Sequence, residues 1–298
     1  MESVDSLFPE QRSAVEELVS AAQAVDHVDP LNEEAQFLLR TSGARHFLLS
    51  GGDPTQLLGY AQWQPANATG QLVVHPDHRR TGVGTRLLRL LRTSVDRVSL
   101  WAFHDLPAAQ GFAQATGMRP SRGLLVLTKD LAEDLTVTVP EQITLRSFTD
   151  ADAEAFLATN AAAFAGHPEQ GHFSAVDLAN RQAEPWWDPQ GLILALDSDG
   201  VAGFHWAKRH PDGTAEVYVL GVHPRAAGQG LGRTLLDAGL AYLTEHGAQR
   251  VILYVDSGNT TAVRLYQRGG FSELSRDTLY SDNQASAPRP AERASDDR

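Results

Sequence analysis

Val74-His75-Pro76-Asp77-His78-Arg79-Arg80-Thr81-Gly82-Val83-Gly84 and Val222-His223-Pro224-Arg225-Ala226-Ala227-Gly228-Gln229-Gly230-Leu231-Gly232 are two copies of one motif, 148 residues apart. That offset is about the length of one compact domain, so the chain reads as an internal duplication. Each copy follows a β-like run, residues 70–74 and 216–222. Each precedes leucines at helical spacing: Leu87, Leu88, Leu90 and Leu91 in the first copy, Leu235, Leu236, Leu240 and Leu243 in the second. A strand running through a glycine loop into a helix makes a cradle for anions. The start of a helix offers N–H groups without intrahelical partners and the positive end of the helix dipole. Glycines let that backbone approach a phosphate with no Cβ in the way.

Outward from the motifs the two halves stay parallel. Residues 98–103 and 250–255 read as strands, and 107–117 and 259–270 as helices that stop on glycine. Upstream, strand candidates at 45–50 and 57–63 flank a Gly-Gly-Asp-Pro turn. Those at 192–196 and 201–208 flank Asp197-Ser198-Asp199-Gly200, a hairpin signal. The expected class is α+β, each half a mixed, mostly antiparallel sheet flanked by helices. The boundary is placed in the acidic stretch 131–141, giving domains at 1–135 and 141–280. Residues 281–298 are rich in Ser, Ala, Pro and charge and are expected to be a disordered tail.

Composition narrows the function. With 298 residues, 42% of them apolar, the chain can bury two cores. It lacks the run of roughly 18 apolar residues that a membrane span needs, and Met1-Glu2-Ser3-Val4-Asp5 does not resemble an export signal. The absence of cysteine excludes disulfides, thiolate metal sites and a protein thiol nucleophile, and fits the cytoplasm. A net charge of −12 argues against phosphate-driven binding to nucleic acid. It does not forbid an anionic cofactor, because distant charges are screened over about 8 Å. The expectation is a cytoplasmic monomer with no metal, membrane or nucleic-acid partner.

The Arg79-x-x-Gly82-x-Gly84 pattern resembles the acetyl-CoA loop of the GNAT superfamily, in which Arg or Gln is followed three residues on by Gly and then by Gly or Ala. Asn259, Ala262, Tyr266, Gly270 and Phe271 resemble its second signature. The resemblance implies two tandem GNAT (acyl-CoA N-acyltransferase) domains with acetyl-CoA as co-substrate. In the N-terminal half it implies contacts from Leu72, Val73, Val74, Arg80, Thr81, Gly82, Val83, Gly84 and Thr85. In the C-terminal half the implied contacts are Leu220, Gly221, Val222, Ala227, Gly228, Gln229, Gly230, Leu231, Gly232 and Arg233, with Asn259, Thr260, Thr261, Ala262, Val263 and Arg264. Ala227 stands where the superfamily has Arg or Gln, and Arg225, Arg233 and Arg264 are candidates for the missing positive charge.

The halves differ in chemical equipment. At the spacing of the second signature the N-terminal half carries Leu106, Ala109, Ala113, Gly117 and Met118, so Asn has become Leu and Tyr has become Ala. Glu216 lies six residues before Val222, and the position 148 residues earlier is Ala68. Glu216 and Tyr218 share one face of a regular strand. Catalysis is therefore assigned to the C-terminal half, with Glu216 as general base and Tyr266 as general acid. The backbone N–H groups of residues 220–222 are assigned to the oxyanion, as in GNAT relatives. A solvated outer carboxylate and a core tyrosine are the alternative readings of the two side chains.

Four segments further resemble the mycothiol synthases of actinobacteria: 26–33, 163–171, 203–208 and 253–256. That resemblance implies acetylation of the cysteinyl α-amine of a cysteinyl-glucosaminyl-inositol, a small thiol-sugar. It also implies substrate roles for Glu33, Glu169, Lys208, Glu216 and Tyr254. His167, Trp186 and Trp187 are candidate pocket walls. A GNAT acting on another small amine or on a protein N-terminus, and a non-catalytic acyl-CoA-binding module, remain as alternatives. If the N-terminal half holds a nucleotide without performing chemistry, Gly82→Asp removes acetyl-CoA retention there, read by calorimetric stoichiometry, and leaves turnover largely intact. A collapse of turnover in a folded variant would move the active half.

Overall fold

The computed structural model describes residues 2–52, 56–131, 135–166, 170–210 and 213–282. The tail expected from residue 281 begins later: Ser281 is the last residue of a strand and pairs with Ser99, Asp282 accepts from Arg92, and the rest lies outside the described residues. The chain forms two compact units, Met1–Ser121 together with the chain from Thr278 onward, and Arg122–Asp277.

The first unit contains β1 (Glu2–Val4), α1 (Pro9–Asp26), α2 (Glu33–Phe37), β2 (Arg45–Ser50), β3 (Leu57–Gln64), β4 (Thr69–Val74), α3 (Val83–Ser94), β5 (Ser99–Ala102), α4 (Pro107–Thr116) and the start of β6 (Arg119–Asp130). Strands β1 to β4 are neighbours in order and antiparallel, and β5 runs parallel to β4. Alternation along the strands supplies both faces with apolar side chains. Phe47, Leu49, Ala61 and Trp63 pack with Leu87, Leu88 and Leu91 of α3. Leu48, Tyr60 and Val73 pack with Val15, Leu18 and Ala22 of α1.

The second unit continues with β7 (Thr144–Ser147), α5 (Ala153–Ala163), α6 (Ala175–Gln182), β8 (Leu192–Asp197), β9 (Gly200–Arg209), β10 (Ala215–Val222), α7 (Leu231–Glu245), β11 (Arg250–Asp256), α8 (Thr260–Arg268) and β12 (Ser272–Ser281). Strands β7 to β10 form an antiparallel run, and β11 is parallel to β10. Leu236, Leu240 and Leu243 of α7 bury one face against Val217, Val251 and Leu253. On the other face Phe156 and Leu178 pack with Leu192, Leu194, Phe204 and Trp206. No helix among the described residues is long and apolar enough to cross a membrane.

The last strand of each half pairs with the sheet of the other half of the sequence. From Leu124 to Asp130, β6 runs antiparallel to β11 of the second unit. The end of β12 returns to the first unit, where Tyr280 pairs with Leu100 of β5. The units accordingly divide within β6, ahead of the 131–141 stretch where composition suggests a linker, and again within β12. Composition reports solvent exposure of a segment and carries no information about which strand edge a neighbouring strand will fill.

Helix α7 approaches its sheet closely at one point. The imidazole of His205, fully buried on β9, occupies the space where a Cβ at Gly239 would stand, with ring atoms 2.1–2.2 Å away. Burial lowers the His205 pKa to about 4, so the ring is a neutral packing group at neutral pH. Gly239→Ala is expected to destabilise the protein by about 1–3 kcal/mol through overpacking. Gly111→Ala in α4, where an added methyl meets nothing within 4 Å, should be neutral or stabilising. Denaturant unfolding of the two variants reads the difference, and equal midpoints would mean that α7 relaxes away from His205.

Candidate active site

In each unit the parallel strands at the centre part almost as soon as they meet. β10 and β11 pair only at Ala215↔Val251 and Glu216↔Ile252, and β4 and β5 only at Gly70↔Leu100. Beyond those pairs the two strands no longer pair with each other, leaving a cleft that ends at the glycine loop. In the first unit this cleft encloses about 690 Å³, walled by Leu72, Leu100, Leu106, Phe112 and Ala113 with Arg80 and Gly82 at its rim.

The two loops are built alike. Nδ1 of His75 accepts from Asp77 N–H at 3.3 Å, and Nδ1 of His223 accepts from Arg225 N–H at 3.2 Å. Each histidine thereby caps a single helical turn opened by the following proline. Two residues per loop then take the left-handed conformation: Arg80 and Gly82 at φ 64° and 88°, Gly228 and Gly230 at 77° and 82°. Such alternation turns successive N–H groups to one side and makes an anion-binding concavity. The space where a Cβ would stand on Gly228 or Gly230 is open. A pyrophosphate-bearing acetyl-CoA fits these features, with the loop and the first turn of α7 or α3 as its holding groups.

The arginines have other duties. Arg79 donates to both oxygens of Asp26 at 2.7 and 2.6 Å and so ties the first loop to the end of α1. Its counterpart Ala227 has no such bond to make. Of the residues expected to replace its charge, Arg225 is engaged by Asp197 and donates to Val201 O at 3.2 Å. Arg233 is held by Asp237 at 2.7 Å and by Arg268 O. Both therefore hold carboxylate partners within the second unit. Arg264 is exposed on α8.

Beside the second cleft β10 carries a bulge. Val217 pairs with Ala207 and Val219 with Trp206, leaving Tyr218 without an opposite number on β9. β4 has no bulge against β3. The extra residue shifts the register, so the counterpart of Glu216 is Thr69, paired with Gln64 as Glu216 is paired with Lys208. Ala68, expected from the fixed offset, sits in the turn before β4 instead. Downstream of the bulge, His223 N–H bonds Ala202 O. The alternation of a strand then leaves the N–H groups of Leu220 and Val222 facing away from β9, toward the cleft.

Glu216 is only 8% exposed. Its Oε2 lies 2.9 Å from Nε2 of His210. Lys208, its cross-strand partner, places Nζ 4.7 Å from the ring centre of Trp186 and 5.3 Å from that of Tyr218, within cation–π range. Arg181 Nε donates to the Tyr218 hydroxyl at 2.7 Å. The buried indole N–H of Trp186 has no hydrogen-bond partner among the described residues. Trp187 packs edge-on against Phe148 and Trp206 and is partly buried against that core.

Tyr254, two residues beyond Ile252 on β11, stands on the same face as Glu216 and Lys208 and is 48% exposed. Glu216, Lys208 and Tyr254 are thus brought to one face of the sheet. Tyr266 is buried on the other, packed edge-on against Phe271, and burial raises the pKa of its hydroxyl. Asn259 caps α8 by accepting from Ala262 N–H at 3.1 Å. Its counterpart Leu106 makes no side-chain cap. Glu33 opens α2 in the first unit, half-buried. His167 and Glu169 lie outside the described residues. No group of three or more metal-ligating side chains occurs among the described residues. Sequence reading missed His210 and Arg181; the only trace of His210 is its place two residues after Lys208, on the alternation of the same strand.

The acetyltransferase (GNAT) family profile matches this chain twice, at residues 12–118 and 159–271. A mycothiol acetyltransferase of Geodermatophilus obscurus is 44% identical over 296 residues, covering 93% of this chain and 96% of its own. One of Thermobispora bispora is 46% identical over 285 residues, covering 91% and 96%. Among solved structures, a tandem GNAT protein from the clavulanic acid biosynthesis pathway is similar at a TM-score of 0.71 and 20% identity, covering 96% of this chain and 99% of that one. A GCN5-related N-acetyltransferase from Sphaerobacter thermophilus gives 0.69 at 22% identity, covering 94% and 95%. With the glycine loops, the parted strands and these relatives taken together, the chain belongs to the acetyltransferase (GNAT) family and, within it, to the mycothiol acetyltransferases.

Proposed function

We propose that this chain acetylates the cysteinyl α-amine of 1D-myo-inositol 2-(L-cysteinylamino)-2-deoxy-α-D-glucopyranoside, completing mycothiol in the cytoplasm, with chemistry confined to the second unit. The observation that carries the assignment of the active half is the buried Glu216 at the bulge, facing Lys208, where the first unit has Thr69 and Gln64. The substrate follows from the relatives' names and their extent along the chain.

An acetyl thioester supplies the electrophile when bound. A free α-amine titrates near 7.7–8.0, so an appreciable minority is already neutral around pH 7.5. Glu216 takes the proton that the nitrogen sheds as the amide forms, and a base so placed contributes about 10²–10⁴-fold. The N–H groups of Leu220 and Val222 receive the negative charge that grows on the carbonyl oxygen. Tyr266 is a neutral hydroxyl throughout the neutral range because burial raises its pKa. A thiol titrates near 8.5, below tyrosine even in water, so moving the phenol proton to the departing sulfur runs uphill. Tyr266 therefore serves as a hydrogen-bond donor to that sulfur. Lys208 and Tyr254 are assigned to sugar hydroxyls and carbonyls, and Glu33 and Glu169 to the ammonium and hydroxyls. The first unit holds acetyl-CoA without turning it over.

Glu216→Gln is expected to keep acetyl-CoA binding and to lower kcat by about 10²-fold or more, while Tyr266→Phe costs about tenfold or less. Near-normal kcat in Glu216→Gln would remove this carboxylate from the mechanism. Acetyl-CoA-dependent acetylation, followed by product mass, tests the substrate with the cysteinyl sugar beside cysteine, glucosaminyl-inositol, spermidine and a short peptide. Selective conversion of the cysteinyl sugar is expected. Turnover of another amine in its place would retain the fold and the Glu216 chemistry and overturn the substrate.

A further inference from the structure

We infer that His210 is a positioning residue for Glu216, holding one carboxylate oxygen so that the other is presented to the amine. The inference rests on the proposed role of Glu216. Nε2 of His210 is 2.9 Å from Oε2 of Glu216. An ionised carboxylate only accepts hydrogen bonds, so the shared hydrogen belongs to the imidazole and the ring is either the Nε2–H tautomer or protonated.

The backbone holds the imidazole in place. His210 N–H donates to Thr214 O at 2.8 Å, and Gly213 N–H donates to His210 O at 3.1 Å, so the residue is pinned at the mouth of the β9–β10 hairpin. Strand alternation aims Lys208 and His210 to the side where Glu216 stands, Lys208 directly opposite and His210 two residues on. The Glu216 side chain is 10% exposed and that of His210 is 29% exposed. The histidine thus covers the carboxylate on the hairpin side. A buried carboxylate held on one oxygen by a charge-assisted bond loses rotational freedom about its last torsion, which is what a base must give up to meet a proton on a fixed line.

The duplication supplies independent support. In the first unit Gln64 pairs with Thr69, and the residue two beyond Gln64 is Ala66. The unit that lacks the carboxylate also lacks the imidazole. A histidine that merely stabilised a hairpin would have no reason to come and go with a glutamate on the neighbouring strand.

The test is a double-mutant cycle on the full chain, using whichever amine the wild type acetylates, so that a wrong substrate is seen separately in the wild-type assay. His210→Ala is expected to lower kcat about ten- to a hundredfold with an unchanged KM for acetyl-CoA. His210→Gln, whose amide N–H can still reach Glu216, should recover most of that loss. In a Glu216→Gln background, His210→Ala should cost little further, because the two act as one unit. Full kcat in His210→Ala, or the same fold-loss with and without Glu216, would overturn the positioning role while leaving Glu216 as base. A variant with a lowered melting temperature and a kcat that His210→Gln fails to restore would assign His210 to the hairpin alone.

Discussion

A pair of parallel strands that stops pairing after two residues is the constraint on which the rest of this protein depends. Once β10 leaves β11 beyond Glu216↔Ile252, its cleft-facing N–H groups have no ladder partner. Buried backbone groups need partners, so a fold with this opening either admits a ligand or leaves donors unpaired. The glycine loop stands at the end of the same strand, and its left-handed residues turn further N–H groups toward the same space. One opening therefore leaves a row of backbone donors and an anion-binding nest facing the same space.

The two units show what that frame does and does not require. Both keep the parted strands, the histidine-capped turn and the left-handed loop residues. They part company on the sheet face that carries Glu216. The second unit has Leu192, Trp206 and Val219 in one cross-strand row, and its ionisable groups one row further on at Lys208 and Glu216. The first unit has a buried polar row, His46, Gln62 and Gln71, on the corresponding strands. His46 shares a hydrogen with the Tyr60 hydroxyl at 2.6 Å, and burial lowers its pKa to about 4. Gln71 and His46 Nε2 have no partner among the described residues. Buried amides packed on one another offer no base to an amine, and their desolvation is a cost that an apolar row avoids.

Much of the site was legible because it is local. A loop that needs left-handed residues shows glycines, a helix start shows its cap, and a strand of three hydrophobic neighbours with one glutamate shows an outlier. The hydrogen bond from His210, the aromatic cage of Lys208 and the bulge at Tyr218 were not legible. Each joins residues from different strands or helices, and a fixed 148-residue offset has no means of registering one inserted residue. The bulge moved the counterpart of Glu216 from Ala68 to Thr69. The ion pair of Arg225 was not legible either, since its partner Asp197 lies on another strand.

The sequence by itself determined the duplication, the α+β class and the two glycine loops, because each is written in spacing along the chain over a few residues at a time. Only the tertiary structure decided where the compact units end, since β6 and β12 each complete a sheet with strands more than a hundred residues away. It alone decided which charges are free and which are paired, and which imidazole meets the carboxylate. Those outcomes depend on strand register and edge pairing, which are settled by packing summed over a whole sheet.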